Sequence, residues 1–414
     1  MLNFQEIFVP GGFPRHTYNP RLDHQLEERL AEATQNLCKL VTVTGQTKSG
    51  KTVLARKILP PEAAIWVDGG AVAQEDDFWQ ILIERLGLFQ SKATEQKKLS
   101  ARKIIGKGTA QASFFFAKGT GEVGAELEKS RSTGTTSGQI LSSRVAALKG
   151  LAAFRRPLVI DDFHYVPRTL QASIVRALKP LIFDGLAVVL IAIPHRRYDA
   201  LKVEKEMTGR IFPIQIPVWS ESELIFIPST GFKLLGIEVP EDRVYRFARE
   251  AIGSPHLMQD FCRNMSRRLQ SNEAMTASSV PVEKIFVDVA ESIGRPIFEK
   301  LARGPRQRSD RLQRQLKNGR TVDIYQLVLH ALAHLKPSLV SFEYEELRAA
   351  IREVSGSQIP QLHEVARVLK HMAQIAATDQ SSTPVIDFEE DEKKLHITDP
   401  FFAFYLRWGE LAQD

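Results

Sequence analysis

Short apolar runs alternate with amphipathic stretches through the first half of the chain, and the pattern changes period near Trp219. KLVTVTG (39–45) is a β-branched run closing on glycine, which predicts a buried strand feeding a turn. AAIWVD (63–68), PLVIDD (157–162), LAVVLIAIP (186–194) and IFPIQIP (211–217) predict four further strands. Between them, Leu22, Leu26, Leu30 and Ala33 fall at helical spacing within 21–37. A helix is expected from about Thr52 to Ile58, an amphipathic one over 76–88, another near 139–153 and another over 168–183. Apolar strands alternating with helices predict an α/β fold, a parallel sheet covered on both faces. Residues 1–20 are rich in Pro and Gly and read as irregular.

Residues 89–139 differ in character, being rich in Lys, Ser, Thr and Gly around an alternating centre, QASFFFAKGTGEVGAELEKS. They read as a polar insertion, with a β-hairpin turning at Gly119–Gly121. Beyond Trp219 the strand signal stops, and 220–235, 241–251, 254–270 and 282–302 read as helices. Three more helical stretches follow at 322–335, 343–354 and 360–377, and then two short strands within 384–398 around the acidic turn 389–392. Three helices and a β-ribbon are the order of a winged-helix module. The expected domains are an α/β domain over 1–218 that includes the insertion, a helical lid over 219–302, a basic linker over 303–320 and a winged-helix domain over 321–414.

The chain has 414 residues, room for two or three domains, with 43% hydrophobic and 25% charged residues. Those values exclude disordered, collagen-like and disulfide-scaffold classes. No apolar run approaches the ~18 residues that cross a bilayer. The start, MLNFQEIFVPGGFPRH, has no basic segment leading into an apolar core, so a cytoplasmic protein without a membrane partner is expected. Cys38 and Cys262 both stand beside apolar residues and are expected to be buried thiols. Seven basic residues against one acid crowd into 301–320 (Arg303, Arg306, Arg308, Arg311, Arg314, Lys317 and Arg320 against Asp310), matching the +6 excess of the whole chain. This cluster is either a solvated linker or an arm that neutralises nucleic-acid phosphates.

The chemistry concentrates at Gly45-Gln46-Thr47-Lys48-Ser49-Gly50-Lys51-Thr52, which fits G-x-x-x-x-G-K-[ST]. Its glycines permit a tight loop with inward N–H groups at the positive end of the next helix, and the binding segment is taken through Val53. Lys51 is expected to reach the β- and γ-phosphates of a nucleotide, and the Thr52 hydroxyl to bind Mg²⁺. About 110 residues on, Leu158-Val159-Ile160-Asp161-Asp162 is an apolar strand ending in two carboxylates. Asp161 is expected to hold the metal's water shell and Asp162 to polarise the attacking water. Being one methylene shorter than Glu, Asp162 predicts slow hydrolysis. The ten histidines show no H-E-x-x-H spacing, and there is no G-x-S-x-G elbow.

Through GQTKSGKT and LVIDD, residues 15–270 resemble AAA+ and STAND-type P-loop ATPases, in particular their origin-recognition-like and transposition-regulator-like branches. The resemblance implies ATP and Mg²⁺ as cofactors and further residue roles. Pro194 and His195 stand where such ATPases carry a polar sensor. Arg210 takes the place of an arginine finger that completes a neighbour's site. Pro255 and His256 open a lid helix over the nucleotide, with His256 near the place of the usual sensor Arg. His16-Thr17-Tyr18 resembles the segment that packs on adenine, so Tyr18 either stacks on the base or anchors the N-terminal arm. The ending DPFFAFYLRW (399–408) is similar to that of winged-helix domains attached to prokaryotic ATPases. Its aromatics suit a packed core or partner surface better than a DNA-reading face. Residues 10–14 and Phe114–Phe116 are candidate oligomer contacts.

Three functions follow. The first is a slowly hydrolysing ATP switch that couples nucleotide state to a homo-oligomer or partner protein. The second is a regulator that grips duplex DNA, and the third a nearly inert nucleotide-binding scaffold in a defence or signalling complex.

Overall fold

The structure is a computed structural model that describes residues 2–35, 38–88, 142–193, 209–271, 276–305, 311–338, 341–378, 385–389 and 393–410. The 89–139 insertion with Phe114–Phe116, together with Pro194, His195, Arg306 and Arg308, lies outside the described residues. The chain forms two compact units that cut across its linear segmentation. One comprises Glu28–Val43 and Ala55–Ile214; the other gathers Met1–Glu27, Thr44–Leu54 and Gln215–Asp414.

The first unit is built on five strands: β1 (Leu40–Thr44), β2 (Ile65–Asp68), β3 (Leu158–Asp161), β4 (Val188–Ala192) and β5 (Ile211–Gln215). Their spatial order is β2-β3-β4-β1-β5. β2 pairs parallel with β3, and β3 with β4, in a register that sets Trp66 beside Val159 and Ile160 beside Leu190. Alternation explains the packing. Ile65, Val67, Leu158, Ile160, Val188 and Leu190 share one core with Phe78, Trp79, Leu82, Ile174 and Leu178 from the helices Glu75–Arg85 and Arg168–Phe183. Val159, Val189 and Ile191 are equally buried but fall outside that cluster, as a sheet covered on both faces requires.

The second unit is mainly helical, with helices Glu221–Leu235, Glu241–Glu250, Pro255–Gln270 and Val282–Arg303. Helix Ile324–His334 follows, then strand β8 (Ser341–Glu343), helices Tyr344–Val354 and Leu362–Thr378, strands β9 (Ile386–Glu389) and β10 (Lys394–Ile397), and the C-terminal helix Pro400–Trp408. β10 lies between β8 and β9, antiparallel to both. Helix, short strand, two helices and two-stranded ribbon is the element order of a winged helix. The expected lid and C-terminal module share one apolar core. Phe261 meets Phe404 at 5.1 Å between ring centroids, and Phe286 meets Trp408 at 4.8 Å. Helix Val282–Arg303 crosses the C-terminal helix so closely that a Cβ on Gly294 would stand 2.3 Å from that of Tyr405.

Several sequence expectations are corrected. No single helix covers 21–37; a short turn at Leu22–His24 and a helix at Leu26–Ala33 are separated by Gln25, which, like Arg21, has a left-handed backbone. The N-terminal arm is not wholly irregular, since Phe4–Ile7 forms one capped turn that buries Phe4 and Ile7. Cys38 is exposed, whereas Cys262 is buried. The basic segment contains a hairpin of two-residue strands, β6 (Arg314–Gln315) and β7 (Thr321–Val322). These elements, like β8, are too short for periodicity to reveal.

Candidate functional site

β1 ends at Thr44, and the next residues form the glycine-rich loop leading into helix Lys51–Ile58. Two loop residues take positive φ, Lys48 at 61° and Gly50 at 93°. A Cβ on Gly50 would meet nothing within 4 Å, so the cradle is open there. Lys51 is buried, and its ammonium donates to the carbonyls of Gly45 (3.0 Å) and Gln46 (2.7 Å), which aims it into the loop. Ser49 Oγ is buried without a hydrogen-bond partner, an orphaned polar atom inside the same loop. Gly45 sits where a Cβ would press on Ser49 Oγ at 2.9 Å and Ile216 Cβ at 3.0 Å. Gln46, Thr47, Thr52 and Val53 are half-buried along the cradle.

The loop is braced by residues that the motif did not indicate. Trp219 Nε1 donates to Ser49 O at 2.9 Å, and the Arg21 guanidinium lies 4.6 Å over the Trp219 ring. Arg21 in turn grips Glu223 with two N–H groups (2.7 and 3.0 Å) and donates to Pro217 O at 3.0 Å. Burial works to raise the Glu223 carboxyl, but Arg21 and Ser220 outweigh it and bring its pKa down to about 2. His24 also reaches Glu223, at 3.0 Å. No sequence pattern links Arg21 to Glu223, because their pairing is long-range.

Pro255 is the first residue of helix Pro255–Gln270, which is capped by the Ser254 side chain. The His256 ring packs edge-on against Phe401, 4.8 Å between centroids, and its Nε2 stands 3.4 Å from Asp260 Oδ2. Burial first, and the Lys48 charge second, push His256 down to about 4. Burial raises Asp260 to about 7 against the opposing charge of Arg263. Lys48 lies 5.5 Å above the Phe401 ring. Lys48, His256 and Phe401 therefore form one cluster, although 145 residues separate His256 from Phe401. Tyr18 is held in the N-terminal arm: its ring stacks on Phe13 at 6.4 Å, and burial followed by a hydrogen bond from its hydroxyl to Glu27 raises its pKa.

The acidic end of β3 belongs to the other compact unit. Asp161 closes the strand opposite Asp68 of β2, and Asp162 follows with a left-handed backbone, its N–H donating to Asp161 Oδ1 at 3.0 Å. Gly69 makes room for this turn, since a Cβ there would approach Asp162 O to 2.5 Å. Asp68 is a third carboxylate at this edge, and AAIWVD carries the same apolar-run-then-acid signal as LVIDD. β4 separates β1 from β3, so Asp161 ends a strand two places from β1. Arg210 is exposed, its guanidinium 5.6 Å from the Phe183 ring and its carbonyl accepting from Leu40 N. In the basic segment, Arg303 pairs with Glu299, Arg311 with Asp323, Arg314 with Glu364 and Lys317 with Glu353. Four of the seven cations of this segment are thus engaged by carboxylates.

Neither a protein-family model nor a curated protein matches the sequence. Among solved structures, the chain is similar to a Walker-type ATPase of Pyrococcus abyssi, at 16% identity and a TM-score of 0.51, over 95% of this chain and 99% of that one. It is also similar to the Orc1 protein of Aeropyrum pernix in complex with DNA, at 15% identity and a TM-score of 0.47, over 100% and 98% of the two chains. Cdc6p from Pyrobaculum aerophilum gives 12% identity and a TM-score of 0.46 over 99% and 98%. The fold, α/β with a five-stranded sheet, is like that of the Walker-type ATPase. Among the described residues no helix is long and apolar enough to cross a membrane.

Proposed function

We propose that this chain is an ATP-binding, slowly hydrolysing switch of the AAA+/STAND kind, whose nucleotide state sets its assembly with further copies or a partner protein. The observation that carries the reading is the loop itself: an open glycine cradle, an inward Lys51 and an orphaned Ser49 hydroxyl at the start of a helix. These features fit a polyphosphate. The amides of Gln46 to Val53 and the Lys51 ammonium would bind its phosphates, and Thr52 and Asp161 would hold Mg²⁺. Among the described residues no group of three or more His, Cys, Asp or Glu side chains is arranged to hold a metal ion. A magnesium site completed by substrate phosphates is the kind that suits this chain. Bound Mg²⁺-ATP supplies the phosphoanhydride whose hydrolysis resets the switch. Asp162 would accept the proton of the attacking water, Arg210 would act in a neighbouring copy, and Pro255, His256 and Tyr18 would line the nucleotide's lid and base sides.

Titration with a fluorescent ATP analogue, with turnover measured in parallel, tests this reading. Lys51→Ala is expected to weaken binding roughly 10- to 100-fold. Asp162→Asn is expected to keep binding and lose hydrolysis. A wild type that binds no ATP, or a Lys51→Ala variant that binds as tightly, removes the reading. The winged-helix element order favours duplex DNA as an alternative partner. That alternative requires salt-sensitive binding at about 50 mM salt.

A further inference from the structure

Lys48 is a costly residue where it stands. Its φ of 61° is a conformation that glycine adopts freely and L side chains avoid, yet the loop carries a long cationic side chain there. What the side chain reaches is the amino end of the C-terminal helix. Its ammonium lies 5.5 Å over the Phe401 ring, within cation–π range, and His256 packs on that ring edge-on. Beside Phe401, the buried Asp399 caps the helix by accepting from Phe401 N and Phe402 N at 2.9 Å each. Burial raises the Asp399 carboxyl, the helix-capping N–H of Phe402 opposes this, and the Lys48 charge opposes it further. The last helix of the chain is therefore coupled to the phosphate loop through one side chain.

The geometry points to Lys48 as a shared tether with two competing partners: the Asp399–Phe401 end of the C-terminal helix, and the polyphosphate of a bound nucleotide. One ammonium cannot serve both fully, so nucleotide binding and docking of helix Pro400–Trp408 oppose each other. This rests on the nucleotide-binding reading above and adds the element through which that binding is transmitted. Reciprocity sets the quantitative demand: whatever factor ATP imposes on release of the helix, release of the helix imposes on ATP affinity.

The test uses the full chain and measures amide hydrogen exchange over 399–408 together with binding of the fluorescent ATP analogue. Saturating ATP is expected to speed exchange over 399–408 in the wild type by about tenfold. Phe401→Ala is expected to tighten analogue binding by a similar factor, a gain that loss of packing alone would not produce. Lys48→Gly, which also relieves the backbone, is expected to speed exchange without nucleotide and to abolish the response to ATP. Wild-type exchange over 399–408 that ignores bound ATP, or a Phe401→Ala variant that binds ATP no better, overturns the tether and leaves the P-loop reading standing. A wild type that binds no analogue overturns both.

Discussion

Arg21 has a side chain 2% exposed and meets Glu223 in a bidentate pair, so removing the carboxylate charge leaves a guanidinium uncompensated. Glu223→Gln is expected to lower stability at pH 7 by about 3 kcal/mol, read from urea midpoints. Its pH dependence has a definite sign. The carboxyl falls from the usual 4.5 to about 2, so its contribution is complete above about 4.5 and is lost as the pH drops toward 2. The deficit of the variant should therefore shrink in acid. Asp260 behaves oppositely. Its pKa rises from 3.8 to about 7, so stability is fully present below 3.8 and is lost as the pH climbs through 7. His256, lowered from 6.5 to about 4, gains over the same interval and partly offsets this. Asp260→Asn mimics the neutral acid and is expected to be the more stable protein above pH 7, by about 1–2 kcal/mol in thermal melts. The Arg21–Glu223 pair was not legible in sequence, whereas the Gly50-Lys51 motif was, because a glycine-rich loop is a local motif and a salt bridge across 202 residues is not.

Elements were legible where a single rule governed them. The strands β1 to β5 are short, apolar and bounded by turn residues, so period and composition agreed, and the helices after Trp219 carried clear 3.6-residue stripes. The rule failed at 21–37, where the spacing is helical but Gln25 takes a left-handed backbone. It failed again at β6, β7 and β8, whose two or three residues pair only because a partner strand is brought to them. Gly294 shows two scales in conflict. Helix propensity alone predicts that Gly294→Ala stabilises by up to about 1 kcal/mol. The 2.3 Å approach to the Tyr405 Cβ predicts instead a loss of about 2 kcal/mol, because two helices must separate. A drop in denaturation midpoint decides for packing.

At the scale of the molecule, the helical region and the C-terminal module are joined by one core running through Phe247, Phe261, Phe286, Phe404 and Trp408. A chain truncated after Gly304 is expected to lose cooperative unfolding and bind a hydrophobic dye, because Phe261 and Phe286 lose their cover. Charge is likewise decided globally. With four cations of 301–320 held by carboxylates, any duplex binding should show a salt slope from this segment shallower than the roughly −6 that all seven would give if unpaired. A slope near −6 in anisotropy titrations would show that the pairs open on DNA.

The sequence by itself determined the alternating strands and helices, the glycine-rich loop before helix Lys51–Ile58, and the paired acids at the end of β3. Each depends on residues within one element or one turn. Only the tertiary structure decided that β4 stands between β1 and β3, that Arg21 and Trp219 brace the loop, and that Lys48 meets the far end of the chain. Those contacts join residues up to 353 positions apart, and they follow from how faces pack rather than from any local period.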